Sequence, residues 1–274
     1  MALATVEANV LNGEANPPRR TNSGVPPYFT SLKPFAGLFA TGMPSLMYHK
    51  LGPRPRGVRL KGLYLSRSLF DRQLSELRAA GFATPAYGRP TSLEGNPGRS
   101  IALTFDDGFA NVFEHGLEPL ARHGFRAVEF LVANLIGGCN EWEMQEGEAR
   151  QSMMDETQVK EWLAAGNEIG SHTLTHPFLT RLSLKAAKEE ITASKKKLED
   201  RFGRPVRHFC YPYGDWNPAV RDQVIAAGYE TACTTDFGVN TGATPPFELK
   251  RILARYQSIS FKALKERLTR ARFR

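Results

Sequence analysis

Cysteine is scarce in this chain of 274 residues: Cys139, Cys210 and Cys233 are the whole complement. Their number is odd, their spacing is wide and there is no CxxC, which argues against a disulfide framework and against a cysteine zinc site. Long hydrophobic runs are absent too. No stretch approaches the ~18 apolar residues of a membrane span. The opening "MALATVEANVLNGEANPPRR" has neither the basic start nor the apolar stretch of a signal peptide. These two absences point to a cytoplasmic location. Histidine is also missing from the whole segment after His208.

Acid is nearly missing from one end. From Lys250 to Arg274 there are nine basic residues against a single acid, Glu266, so this segment alone carries the formal net charge of +8. Phe261, Leu264, Leu268 and Ala271 fall on one helical face there, among Lys and Arg. One reading is a helix resting on an anionic membrane surface. The other is a last helix packed on the domain, with its charged face in water. The rest of the chain is neutral and carries no nucleic-acid motif, so nucleic acid is not expected as a partner.

Apolar residues make up 41% of the chain, enough for one large domain. Residues 1–40, rich in Asn, Pro, Gly and Ala, read as a disordered or loosely attached N-terminal arm. Residues 41–274 then form the domain, with the basic C-terminal helix at its end. "PSLMYHK" suits a buried strand. Ser68 is a candidate cap for the helix "LFDRQLSELRAAG". "SIALTF" reads as a strand, "NVFEHGLEPLARHG" as a helix and "RAVEFLVA" as a strand, and residues 134–153 as an inserted loop. Asp155 and Gln158 make a capping pair, and Ser183 and Gly203 bound a long helix. "EIGSH", "VRHFCYP", "YETACTT" and "LKRILARY" are further strands. Strand and helix alternate, so a parallel sheet with outer helices is expected, either open and doubly wound or closed as a barrel. In both, chemistry gathers at the C-terminal ends of the strands. His49, Asp106, Asp107, His172 and Tyr213 all lie there.

Two of these sites carry chemistry together. "TFDDG" ends a strand with adjacent carboxylates, Asp106 and Asp107, whose repulsion and desolvation need compensation. "SHTLTH" offers His172 and His176 four residues apart, on one face if that stretch forms a helical turn. Two imidazoles and one carboxylate suit a catalytic divalent metal, leaving the second carboxylate to act as base.

"TFDDG", "SHTLTH" and "YPYG", in that order, resemble the first three motifs of the polysaccharide deacetylases, carbohydrate esterase family 4 with its NodB-homology domain. The likeness runs from about "LMYHK" to about "LKRIL". It implies a distorted (β/α) barrel and a divalent metal, usually zinc, with cobalt or another divalent ion as alternatives. By that resemblance Asp106 is the general base, while Asp107, His172 and His176 are the metal ligands. The backbone N–H of Tyr213 would help hold the oxyanion.

The chain departs from the family pattern twice. Cys210 stands where the third motif usually has an arginine that pairs with the catalytic aspartate, and the histidine of the last motif, the usual general acid, is missing. His49 is the candidate acid, because the first strand of a closed barrel lies beside the last; its alternative is a structural histidine fixing the following loop. Arg251, in "LKRIL", could pair with Asp106; otherwise it is one more charge of the basic segment. Trp142 and Trp216 are candidates either for stacking on sugar faces or for packing. The function expected is removal of acetyl groups from N-acetylhexosamine glycans or glycan precursors. The alternative is a catalytically impaired glycan-binding protein on the same fold.

Overall fold

The computed structural model describes residues 25–85, 95–96 and 98–255. Its strands are β1 (Met43–Tyr48), β2 (Lys50–Leu51), β3 (Tyr64–Leu65), β4 (Ala102–Asp107), β5 (Val128–Leu131), β6 (Glu168–Ser171), β7 (His208–Cys210), β8 (Thr231–Phe237), β9 (Val239–Asn240) and β10 (Leu249–Leu253). Its helices are α1 (Ala36–Ala40), α2 (Arg67–Ala79), α3 (Ala110–His123), α4 (Glu141–Gln145), α5 (Glu156–Ala164), α6 (Leu184–Phe202) and α7 (Pro218–Ala226).

β1 pairs in parallel with β4 on one side and with β10 on the other. That second pairing closes the sheet. The order around it is β1-β4-β5-β6-β7-β8-β10, so the fold is the (β/α) barrel and not the open sheet. β9 runs antiparallel to the start of β1, and β2 and β3 form a separate two-stranded piece.

Closure explains why the strands read as apolar runs, since each is covered on both faces. Leu103 and Phe105 of β4 join an outer core with Val112, Leu120 and Trp162 from the helices. Ala102 instead joins Met43, Val128, Phe130, Cys210, Cys233 and Leu249, all from barrel strands, in an inner cluster. Alternation along β4 therefore turns Thr104 and Asp106 toward the barrel interior. No helix among the described residues is long and apolar enough to cross a membrane.

Local signals set most helix ends. Asp155 and Gln158 form a reciprocal capping box at the start of α5. Ser183 caps α6, and Gly203 ends it in the left-handed conformation. The cap of α2, by contrast, is Ser66 and not Ser68: its Oγ accepts the Leu69 N–H at 3.2 Å, one turn ahead of the apolar stripe.

The N-terminal expectation needs correction over residues 25–40. Phe29, Phe35 and Phe39 are buried against one another, with ring centroids 5.2–5.7 Å apart. The Phe29 N–H donates to the Leu253 carbonyl at 2.9 Å, which ties this stretch to the end of β10. Each buried ring contributes about 1.5–3 kcal/mol, which outweighs the turn-forming composition around it. Residues 1–24, and the part of the basic segment from residue 256 on which the amphipathic helix is expected, lie outside the described residues.

Candidate active site

Every candidate residue sits at the C-terminal rim of the barrel or just inside it. Asp106 and Asp107 end β4, and Asp107 has φ 84°, in the left-handed region. That twist turns its side chain away from the strand alternation, and Gly108 follows at φ 92°. A Cβ at Gly108 would lie 2.9 Å from the Leu131 side chain, so the turn needs glycine on both counts.

Asp107 Oδ1 lies 3.4 Å from His172 Nε2 and 3.3 Å from His176 Nε2. All three residues are buried. The two histidines do not share a helical face, as the four-residue spacing suggested. β6 stops at Ser171, and the chain folds back through left-handed Thr173 (φ 69°) and His176 (φ 66°). Thr173 Oγ1 accepts the His176 N–H at 3.0 Å, and the Glu190 carboxylate of α6 accepts the N–H groups of Leu174 and Thr175. Asp107, Thr173, His176 and Tyr213 are four of the five non-glycine residues with positive φ among the described residues. Backbone strain is thus concentrated at this site.

The donor set fits a tetrahedral divalent ion. Metal bonds of about 2.0–2.2 Å put ligand atoms about 3.3–3.6 Å apart, the separation found between Asp107 and each imidazole. His172 Nδ1 lies 2.8 Å from the Cys210 carbonyl, which can only accept, so Nδ1 carries the proton and Nε2 keeps its lone pair. A second cluster, Asp106, His172 and Cys210, also brings donor atoms within 4.8 Å of one another. It is a poorer set, because burial holds the Cys210 thiol well above its usual pKa and Asp106 is already engaged.

Asp106 is engaged by Arg251. Nη1 donates to Oδ1 at 2.7 Å and Nη2 to Oδ2 at 2.8 Å. The guanidinium also donates to the Thr234 carbonyl at 2.9 Å, to Thr104 Oγ1 at 3.2 Å and to Cys210 Sγ at 3.1 Å. Burial pushes the Asp106 carboxyl up, but the charge and hydrogen bonds of Arg251 outweigh it and leave the pKa below the usual carboxylate range. Burial likewise acts upward on Asp107, and the two facing histidines bring it well below that range.

His49 follows β1 and brings Nε2 to 3.8 Å from Asp106 Oδ2. Burial holds its pKa below the usual histidine value, against the pull of Asp106 and Asp107. Tyr213 has φ 59°, and its N–H meets no acceptor among the described residues. Its ring stacks on Phe178 at 3.8 Å and meets the His176 ring edge-on at 4.5 Å.

Both candidate tryptophans pack on other rings. Trp142 stacks on His176 at 4.6 Å and Trp216 on Tyr211 at 5.9 Å. Two buried groups near the site escaped the sequence reading. Glu129 of β5 accepts the Gly108 N–H at 2.9 Å, and Lys50 is ion-paired with Glu143 of α4 at 2.6 Å. A charged residue inside "VEFLVA", and a lysine directly after a buried strand, were the available signals.

Comparison with known proteins bears on the family and the fold. Residues 94–232, just over half of the chain, match the family profile described as Polysaccharide deacetylase. The Bacillus subtilis protein named "Putative polysaccharide deacetylase YxkH" is 23% identical over 77% of this chain and 70% of its own length. Peptidoglycan-N-acetylglucosamine deacetylase PgdA of Listeria monocytogenes is 26% identical over 63% of this chain, but only 32% of its own length is covered. The solved structure of IcaB from Ammonifex degensii superposes with a TM-score of 0.67 at 24% identity, covering 82% of this chain and 96% of that one. With the family profile across its centre and this barrel around the site, the chain belongs to the polysaccharide deacetylase family.

Proposed function

We propose that the protein is a metal-dependent hydrolase that cleaves the acetamido group of an N-acetylhexosamine within a glycan, an amide bond outside peptides. The observation that carries this reading is the buried group Asp107, His172 and His176, with 3.3 and 3.4 Å separations, beside an aspartate locked by Arg251. The glycan relatives, one named for peptidoglycan N-acetylglucosamine, support the substrate class. Zinc or another divalent ion on Asp107, His172 and His176 would act as a Lewis acid, polarising the acetyl carbonyl and acidifying the attacking water.

Asp106, kept ionised and oriented by Arg251, accepts the proton of that water. The Tyr213 N–H donates to the oxygen on which charge develops. His49 protonates the leaving nitrogen. Burial lowers the His49 pKa, so its imidazole starts neutral; the 3.8 Å approach of Nε2 to Asp106 Oδ2 lets the proton that Asp106 takes from water pass to His49 and on to that nitrogen, so the proton gained is the proton given up. His49 faces Asp106 and is not turned away from it, which favours a hydrolase over a non-hydrolytic glycan-binding protein.

The test is acetate release from N-acetylglucosamine oligomers by protein stripped of metal and reloaded with zinc or cobalt. Acetate that appears only on reloading, and not in Asp107→Asn, supports the reading. One tightly bound ion per chain without acetate from any N-acetylated oligomer would overturn it.

A further inference from the structure

The two imidazoles facing Asp107 are held in different ways. A metal-ligating histidine ordinarily anchors its second ring nitrogen on an acceptor, which fixes the orientation of the ring. His172 does this through the Cys210 carbonyl. His176 does not: its Nδ1 is buried and meets no hydrogen-bond partner. What the His176 ring has instead is contact with aromatic rings. The Trp142 indole lies against its face at 4.6 Å and 27°, and Tyr213 meets it edge-on at 4.5 Å.

Trp142 comes from α4, inside the segment between β5 and α5 that the sequence marks as an insertion. Its neighbour Glu143 accepts two hydrogen bonds from Lys50 Nζ, at 2.6 and 2.7 Å, and one from Asn140 Nδ2 at 2.7 Å. Lys50 is fully buried and lies 4.4 Å above the Phe109 ring, which itself packs on Trp142. Asn140 ties the same segment together through the Ala149 carbonyl and the Gln151 N–H. Lys50 also follows His49 directly in the chain. One buried ion pair therefore joins the backbone at His49 to the backbone at Trp142.

We propose that Trp142 is a positioning residue for the metal site: it holds the His176 imidazole by stacking where no hydrogen bond does, and the Lys50–Glu143 pair keeps it in place. The inference rests on the reading of Asp107, His172 and His176 as metal ligands. It gives the insertion a task at the reaction centre and takes the stacked face of Trp142 away from sugar binding. An aromatic face is the requirement; apolar bulk alone is not enough.

The experiment measures Zn2+ dissociation constants of the full chain by competition with a chromophoric chelator, for wild type, Trp142→Phe, Trp142→Leu, Trp142→Ala and His172→Ala. Thermal melts of the metal-free proteins run alongside. Loss of an outer partner of a metal ligand weakens binding about 10–100-fold, and that is the loss expected for the Leu and Ala variants. The Phe variant keeps a ring and should recover most of the affinity. The leucine variant fills the site, so it separates stacking from collapse even where alanine fails to fold. Equal zinc affinity of folded Leu and Phe variants would overturn the positioning role alone. Wild type holding zinc no better than His172→Ala would overturn the ligand assignment, and the positioning role with it.

Discussion

Arg251 grips Asp106 from two strands away, across β1, through two parallel hydrogen bonds of 2.7 and 2.8 Å. The pair is buried on both sides, and the Cys210 sulfur lies 3.1 Å from the same guanidinium. A neutral thiol therefore borders the position that a charged fork from β10 serves. Removing the guanidinium leaves a buried carboxylate uncompensated, which typically costs about 3–5 kcal/mol. Arg251→Met should lose stability on that scale in urea unfolding. Arg251→Lys keeps the charge but not the planar fork, so it should remain better folded while kcat drops. Equal stability of Arg251→Met and wild type would show that the fork contributes nothing net.

Asp106→Asn separates the two aspartates. In the proposed reaction the amide cannot accept the water's proton, and loss of a general base costs about 10²–10⁴-fold in rate. Asp106 is held by Arg251 and is not one of the group Asp107, His172 and His176, so zinc should stay bound in this variant. Acetate release and zinc content of the same preparation check both halves. Loss of zinc from Asp106→Asn would contradict the division of roles.

What the sequence disclosed was local. "TFDDG" and "SHTLTH" sit at strand ends and could be read as metal chemistry from residue type and spacing. His49 is legible once the barrel is taken to close; closure also sets β10 and β4 on either side of β1, which is what brings Arg251 of "LKRIL" to Asp106. The four-residue spacing cannot tell a helical turn from the fold-back at His172–His176, because left-handed Thr173 and His176 carry no signature in composition, as glycine would. The contacts of Trp142 and Glu143 are opaque for another reason. Their partners lie 34 and 93 residues away in the chain, and an insertion has no periodicity to show which face is buried. Phe29, Phe35 and Phe39 were hidden by the Asn, Pro and Gly around them.

The Lys50–Glu143 pair should behave as a buried ion pair does. Glu143→Gln leaves the Lys50 ammonium fully buried without a countercharge, and should destabilise the protein by about 3–5 kcal/mol. Lys50→Met combined with Glu143→Leu removes both charges and should recover most of that loss in urea unfolding. A double variant no more stable than Glu143→Gln would show that the segment's geometry, and not the unpaired charge, sets the cost.

Glu129 gives a prediction in pH. Its carboxyl is fully buried, with one oxygen on the Gly108 N–H and the other without a partner. Burial, reinforced by Asp106 and Asp107, pushes its pKa well above the ordinary value, against the smaller effect of the Gly108 N–H. In the unfolded chain the same group ionises at about pH 4.3. Between those two points the folded state holds a proton that the unfolded state has released, so stability must fall as pH rises. The contribution is complete below the unfolded pKa and is lost progressively as pH climbs toward the folded one. Glu129→Gln keeps the shape and the acceptor for Gly108 but cannot ionise. Melting temperatures of the metal-free proteins should therefore diverge in favour of Glu129→Gln between pH 5 and pH 8, with the gap widening as pH rises. A gap that stays constant over that range would mean that Glu129 ionises in the folded protein as readily as in the unfolded chain.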